Sequence, residues 1–423
     1  MAAPEHFDKS KIIEEEFSIW KKNAPFLYDL LFTFPIETEI SSIEWFPINS
    51  KNSTQNSKNI QEIVLGSKSK KLEDNFLYFL SINIPIDETQ FDSQENQKST
   101  IQTKKQNLED HPMIRIVDKI QHQGNVNKVR IMPQNSNIIS TITNKGKIFI
   151  YDISKISNTY ENINQKEKQI LNKNPILEYN ISEGGNGLSW NYQKEGFLLT
   201  GNYKGEIDIF NINAEKKETI QNKKMDSEIK HVSWHKKRDS LFGVTSKNKK
   251  FTIFDTRELT GPLYEIEGHE GEVNYLDFHP HSEFIFATCS SDHTVKLWDI
   301  RVLPKYLHVL SKHEESVNCV KWNPFILNST ILSSSGEDQK IAIWDLEKIG
   351  KMQEKDDIED GPPELLFLHA GHINKINDFD WSYGESWTIG SIENDFLQIW
   401  QITENIYNEE QEQIEIESKS QIK

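Results

Sequence analysis

The sequence predicts an all-β fold: a ring of seven repeated sheet blades with an N-terminal α-helix packed on its side. Three observations predict it. The stretch Gly268–Arg301, GHEGEVNYLDFHPHSEFIFATCSSDHTVKLWDIR, opens on Gly-His, closes on a Trp-Asp pair and holds three alternating apolar runs split by turns. Runs of that length, rich in β-branched and aromatic residues and bounded by Asp, Ser, Gly and Pro, are antiparallel strands. The closing pair recurs at Tyr151-Asp152, Phe254-Asp255, Trp298-Asp299 and Trp344-Asp345, with weaker copies at Phe210-Asn211 and Trp400-Gln401. Neighbouring aromatic positions lie 59, 44, 44, 46 and 56 residues apart, against a propeller-blade period of about 40–45. The outer two intervals therefore carry insertions. One unit cannot bury its own faces and must stack on copies of itself. A seventh, degenerate unit is expected in Ser42–Pro85, where Ile43, Trp45, Ile63–Leu65 and Phe76–Ile82 supply strands. Seven units close a ring and protect the sheet edges.

The period, the Gly-His start, the aromatic-Asp end and the Ser-x-Asp turn together resemble WD40 repeats. Bulk composition agrees with a soluble binding protein. The chain has 423 residues, 36% hydrophobic, and a net charge of −17. That charge argues against direct binding of DNA or an anionic membrane and for a basic partner. No apolar run is long enough to span a membrane, and the start MAAPEHFDKSK lacks the apolar core of a signal peptide. Cys289 and Cys319 fall in strands of neighbouring blades and read as small buried hydrophobes of a reducing compartment.

In chain order, residues 1–33 are expected as a helical region. Ile13, Phe17 and Trp20 keep helical spacing, with Glu14–Glu16 early and Lys21-Lys22 later, as the helix dipole favours. Asn23 and Pro25 are read as capping and restarting a second helical segment, with Phe26, Leu27, Leu30 and Leu31 on its apolar face. One helix face packs on the ring; the other stays open for a partner. The propeller is assigned to 34–408, with an acidic insertion at 350–367 and an acidic tail at 409–423. Polar inserts at 49–59, 87–112 and Lys155–Lys173 read as loops.

Several motifs look catalytic and are better read otherwise. Glu183-Gly184-Gly185-Asn186-Gly187 lacks the Gly-Lys-Ser/Thr of a phosphate loop. His231 and His235 lack a third ligand placed by any motif, so no metal site is expected. His269, Asp292 and Trp298, with His313, Asp338 and Trp344, match the WD40 pattern in which these residues and a strand Ser or Thr form a buried network that fixes a turn. No nucleophile stands out, no convergent acids are evident for the central channel, and no cofactor is expected. In the insertion, Asp356, Asp357, Glu359, Asp360 and Glu364 crowd a loop expected to be exposed. Gly361-Pro362-Pro363 stiffens it before Leu365-Leu366-Phe367 returns to a strand. The pattern reads as one rim of a groove.

Four segments make the resemblance specific. WKKNAPFLYDLL (Trp20–Leu31), VSWH with SLFG (Val232–Gly243), EDGPPELLF (Glu359–Phe367) and ENIYN (Glu404–Asn408) resemble the retinoblastoma-binding protein 4 and 7 family of Msi-type WD40 histone chaperones. The likeness runs from about Glu14 to Asn408. It implies a nuclear, non-enzymatic scaffold subunit of chromatin assembly factor, histone deacetylase, nucleosome-remodelling or Polycomb repressive complex 2 type. It implies that the first helix of histone H4 lies between the N-terminal helix and the Pro-Pro loop. Leu27, Leu30, Phe367 and Ile406 would take its apolar face, Asp357, Glu359 and Asp360 its arginines, with Pro362 and Pro363 shaping the loop. A second family site, for the H3 tail, lies on the top face of the ring. There Asn125, Lys230 and Ser316 replace glutamates, and Asn186 and Asn318 replace aromatics, whereas Glu37, Asn127, Asn274 and Glu393 match. A lysine in place of a glutamate repels a basic peptide, so H3-tail binding is expected to be weakened while H4 binding persists. The competing expectation is a propeller adaptor for a non-histone peptide, such as a ubiquitin-ligase substrate receptor, but no ligase-docking motif is apparent.

Overall fold

The computed structural model describes residues 9–47, 60–69, 75–84, 113–154, 170–171, 174–214, 219–258, 261–353 and 357–408. The polar inserts expected at 49–59 and 87–112, most of Lys155–Lys173, Asp356 and the tail 409–423 lie outside these residues.

Seven antiparallel sheets of four main strands form the ring among the described residues. Blade one holds Ile40–Trp45, Ile60–Ser67, Phe76–Asn83 and Ile114–Gln121; its outer edge also takes the two-residue strand Ile170–Leu171 in parallel. The expected degenerate unit is thus a complete blade, its last strand lying beyond an insertion. Blades two to six follow in order, ending on Leu177–Asn180, Thr219–Lys224, Tyr264–Glu267, Tyr306–Ser311 and Leu365–His369. Blade seven takes three strands from the end of the chain, Asp378–Trp381, Thr388–Glu393 and Phe396–Ile402. Its outermost strand is β1 (Tyr28–Pro35), paired antiparallel with Phe396–Ile402 from Tyr28 opposite Ile402 to Pro35 opposite Phe396. The two ends of the chain close the ring.

This closure corrects the helical reading of residues 26–33. One helix, α1 (Lys9–Leu27), runs through Pro25 and ends at Leu27; the next eight residues are strand. A strand alternates its faces, so Leu30 turns inward at 5% exposure into the cluster with Ile40 and Ile392. Leu31 turns the other way, onto the cluster that holds Leu27, Phe367 and Ile406. A helix would have placed Leu27, Leu30 and Leu31 on one face, and Leu30 is therefore unavailable to a ligand.

Neighbouring blades pack apolar faces and are also stitched along the channel. The indole N–H of Trp45 donates to the Asp380 carbonyl at 3.1 Å, Trp190 to Arg130 at 3.0 Å and Trp322 to Asp277 at 3.1 Å. Each bond joins the inner strand of one blade to that of the blade before it. The expected buried networks are present. His269 bonds Asp292 at 2.9 Å and Thr288 at 2.8 Å, and Trp298 donates to the same Thr288 hydroxyl at 2.8 Å. His313, Asp338, Ser334 and Trp344 repeat the arrangement in blade six. Burial pushes His269 down, and hydrogen bonds from His269 and Thr294 outweigh burial to hold Asp292 low. A neutral imidazole thus donates to an ionised carboxylate. His231 and His235 do separate work: His231 stacks on Tyr275 with centroids 3.6 Å apart, while His235 accepts from the backbone of Lys237 and Arg238. Cys289 and Cys319 are buried free thiols. No helix among the described residues is long and apolar enough to cross a membrane.

Candidate functional site

The helix α1 is fixed to the ring by one buried chain of polar groups. Trp20 Nε1 donates to the Tyr28 hydroxyl at 2.9 Å, and that hydroxyl lies 2.7 Å from His369 Nδ1. The His369 ring stacks on Trp400, centroids 4.2 Å apart and almost parallel. Burial drives Tyr28 up and His369 down, so both stay neutral at ordinary pH. None of this is apparent in the sequence, where Tyr28 and His369 stand in different motifs.

Beside this anchor lies an open groove of about 860 Å³. Leu366, Phe367 and Ile406 form its apolar part, and Glu359, Asp360, Pro362 and Pro363 its rim. The short helix α2 (Asp357–Asp360) carries the acids, with Glu359 and Asp360 exposed. The Asp357 side chain lies outside the described residues. Another short helix, α3 (Glu404–Tyr407), presents Ile406 from the far end of the chain. Leu27 is half-buried in the same apolar cluster as Phe367 and Ile406. Its carbonyl accepts from the amide of Thr403 at 3.1 Å, tying the end of α1 to the start of α3.

The loop is held in shape rather than free. Lys312 Nζ donates to the Asp360 carbonyl at 2.6 Å, Gln353 Nε2 to that of Gly361 at 3.1 Å, and the Leu365 amide to that of Pro362 at 2.9 Å. Gly361 has φ +147°, and a Cβ there would meet Leu365 Cδ2 at 2.8 Å, so the turn requires glycine. Glu364 does not join the exposed acids. It is 4% exposed and bonds His308 Nε2 at 2.7 Å, because it precedes the strand and points inward. Lys312, Lys348 and Lys351 also line the groove. These cations escape a sequence reading because only the fold brings them beside the acids.

On the top face the asparagines are tied across blades, through Tyr203 or directly. Asn127 donates to the Tyr203 hydroxyl at 2.9 Å and to the Gly185 carbonyl at 3.0 Å; Tyr203 in turn donates to Asn186 at 2.9 Å. Asn274 donates to Ser316 at 3.1 Å and to the Val317 carbonyl at 2.8 Å, with Asn318 Oδ1 at 3.5 Å. Lys230 pairs with Glu272 at 2.8 Å and Glu228 at 3.5 Å. Its charge is thereby neutralised, and the carboxylates that could attract a basic peptide are engaged. Glu37 pairs with Lys119. The Asn125 Oδ1 is buried without a hydrogen-bond partner.

Glu393 leaves this site altogether. It is 5% exposed and accepts from the amides of Ile373 and Asn374 at 3.0 and 2.6 Å, with His372 Nδ1 at 3.5 Å. His372 and Trp400 both bond Ser391, at 2.8 and 3.1 Å. Glu393 therefore fills, in blade seven, the place that Asp292 and Asp338 fill in blades five and six. The missing Asp in Trp400-Gln401 hides that register.

The central channel corrects a further expectation, since charged groups do converge there. Lys128 pairs with Asp378 at 2.9 Å, Lys321 with Asp380 at 3.0 Å and Lys236 with Asp277 at 3.2 Å. They come from several blades, and no local motif betrays them.

Family comparison supports the same assignment in two separate parts of the described fold. Residues 15–86 match the family described as histone-binding protein RBBP4 or a subunit of the CAF1 complex, and residues 260–299 and 304–345 match the WD domain, G-beta repeat. The first match covers most of α1, the ring-closing strand and most of blade one; the second covers the repeats that carry the His-Asp-Trp networks. With the seven-bladed ring and its anchored helix, these matches make the chain similar to RBBP4-type histone-binding WD40 proteins.

Proposed function

We propose that this chain is a nuclear histone-chaperone scaffold that holds the first helix of histone H4 in the groove between α1 and the Pro-Pro loop. It would act as a subunit of chromatin-assembly or chromatin-modifying complexes of the chromatin assembly factor, histone deacetylase or Polycomb repressive complex 2 type. The observation that carries the reading is the groove itself: an apolar floor of Phe367 and Ile406 under a rim of Glu359 and Asp360. An amphipathic helix docks by laying its apolar stripe in such a floor, and carboxylates bind arginine through charge-assisted, often bidentate bonds. The lysines add direction. The basic side of the docked helix must run along Glu359 and Asp360, away from Lys348 and Lys351. The H3 tail would bind weakly, because Asn127, Asn186, Lys230 and Asn274 spend their polar groups on neighbours.

Calorimetry with an H4 first-helix peptide tests this. Exposed ion pairs contribute about 0.2–1 kcal/mol each, and desolvated ones about 2–5 kcal/mol. Reversing both charges in Glu359→Lys with Asp360→Lys should weaken binding by about tenfold or more, without lowering the melting temperature. Binding should also weaken as salt rises. Failure of the wild type to bind would assign the groove to another partner. Tight binding of an H3 N-terminal peptide would refute the top-face reading.

A further inference from the structure

The inner strands run the same way along the channel. The top-face residues Asn127, Lys230, Asn274 and Asn318 stand near their starts, and Trp45, Ile131, Trp190, Trp322 and Trp381 at their ends. At that second end, away from both sites discussed above, the strands enclose a cavity of about 210 Å³.

The polar groups around the cavity are unevenly satisfied. Asp277 accepts from Lys236 at 3.2 Å and from the Trp322 amide at 3.2 Å; Asp380 accepts from Lys321 at 3.0 Å and from the Trp45 amide at 3.0 Å. Glu44 accepts from the Ile131 amide. The acceptors are thus largely committed. Arg130 donates to the Val129 carbonyl at 2.7 Å and to the Tyr275 hydroxyl at 3.3 Å. A guanidinium has five N–H donors, and its others meet no hydrogen-bond acceptor among the described residues. Trp381, 2% exposed, lines the same cavity with an unpartnered indole N–H. The buried Trp381 indole N–H without an acceptor is costly, and Arg130 has N–H groups to spare, so the pair suits an acceptor-rich guest such as a carboxylate. Trp190, Tyr192, Trp322 and Tyr383 give the cavity flat aromatic walls.

We propose that this cavity is a binding site for a small organic carboxylate, its acid group on Arg130 and its body against the aromatic wall. Glu44 does not forbid the anion. Burial raises its carboxyl to about 7, against the pull of Arg130, the Ile131 amide and Lys321 and with Asp380 raising it further, so it can take up a proton when an anion arrives. A phosphate lacks the flat body that the walls would cover. A peptide C-terminus offers the same acid group but too much chain for the volume.

Calorimetry on the full chain near pH 6.5, with benzoate as probe, tests the assignment, with inorganic phosphate and acetyl-triglycine as separate arms. Saturable binding of one benzoate is expected, weakened about tenfold, ~1.4 kcal/mol, by Arg130→Gln. Arg130 also supports the channel, so Tyr383→Ala supplies a second variant on a residue that is 37% exposed. It should bind benzoate more weakly while melting as the wild type does. No benzoate binding at millimolar concentration, or binding that neither variant changes, overturns the site. Phosphate or the peptide binding more tightly than benzoate overturns the class of ligand.

Discussion

The hydroxyl of Tyr28 is the most informative single group to remove. In Tyr28→Phe the ring stays edge-on to Phe367 and Trp400, with centroids 5.5 and 6.1 Å away, so packing changes little. What disappears is the link between Trp20 and His369. His369 is 0% exposed and would be left with Nδ1 unsatisfied, a cost of about 1–3 kcal/mol. Trp20 is half-buried and can recover a water, so its loss is the ordinary net value of a hydrogen bond, about 0.5–1.5 kcal/mol. The sum, about 1.5–4.5 kcal/mol, falls on the docking of α1. If α1 opens as a local unit, its amides should exchange about one to three decades faster. The melting temperature should drop by only a few degrees, because a large fold dilutes each kilocalorie. Hydrogen exchange read by mass spectrometry over residues 9–27, beside a calorimetric scan, makes the measurement. Unchanged exchange in a variant of unchanged melting temperature would refute the polar anchor and leave apolar packing alone to hold the helix.

Three further outcomes are expected. Gly361→Ala forces a side chain into a left-handed backbone and against Leu365, a strain of about 1–3 kcal/mol; it should reshape the loop and weaken H4-peptide binding in calorimetry about tenfold. Trp298→Phe removes the indole donor to the Thr288 oxygen and leaves that hydroxyl its bond to His269 alone; it should lower stability by about 1–2 kcal/mol in urea titration. His122 is 1% exposed, and burial lowers it from 6.5 to about 4. The unfolded chain therefore takes up this proton near pH 6.5 and the folded chain only near pH 4. Its contribution is complete above pH 6.5 and falls away as pH drops, by about 3 kcal/mol across the window. Stabilities from urea titration at pH 7 and 5 span about 1.5 units of that window and should differ by about 2 kcal/mol, and His122→Gln should flatten the difference.

What is legible in the sequence is whatever repeats. Trp298-Asp299 and Trp344-Asp345 mark strand ends because the same buried network needs them in each blade, and the network sets the period. Residues that serve the ring only once mislead. Leu27, Leu30 and Leu31 fit helical spacing as well as an apolar strand, and only pairing with Phe396–Ile402 decides between them. The family resemblance makes Glu393 read as a top-face ligand residue, and Trp400-Gln401 lacks the marker that would have aligned it with Asp292 instead. The channel charges are invisible for a topological reason: Lys321 and Asp380 are neighbours only across a blade boundary.

The groove stands at the one place where chain closure is made, and this explains its composition. Residue 27 and residue 406 meet because β1 completes the sheet of the last blade, and Thr403 bonds the Leu27 carbonyl. The wall opposite comes from the insertion that delays the outermost strand of blade six. A helix lying there touches the sixth-blade and last segments of the chain, and the last segment is tied to the first through the Thr403–Leu27 bond and their shared apolar cluster, so binding is coupled to ring closure. A ligand that binds only the closed ring stabilises it by about 2.7 kcal/mol at a hundred times its Kd. That gain would fall on the seam, where the ring depends on two distant ends of the chain rather than on a hairpin. Protection induced by an H4 peptide should therefore extend beyond the groove into Tyr28–Pro35 and Phe396–Ile402, whereas a peptide held only by surface charge would protect neither strand.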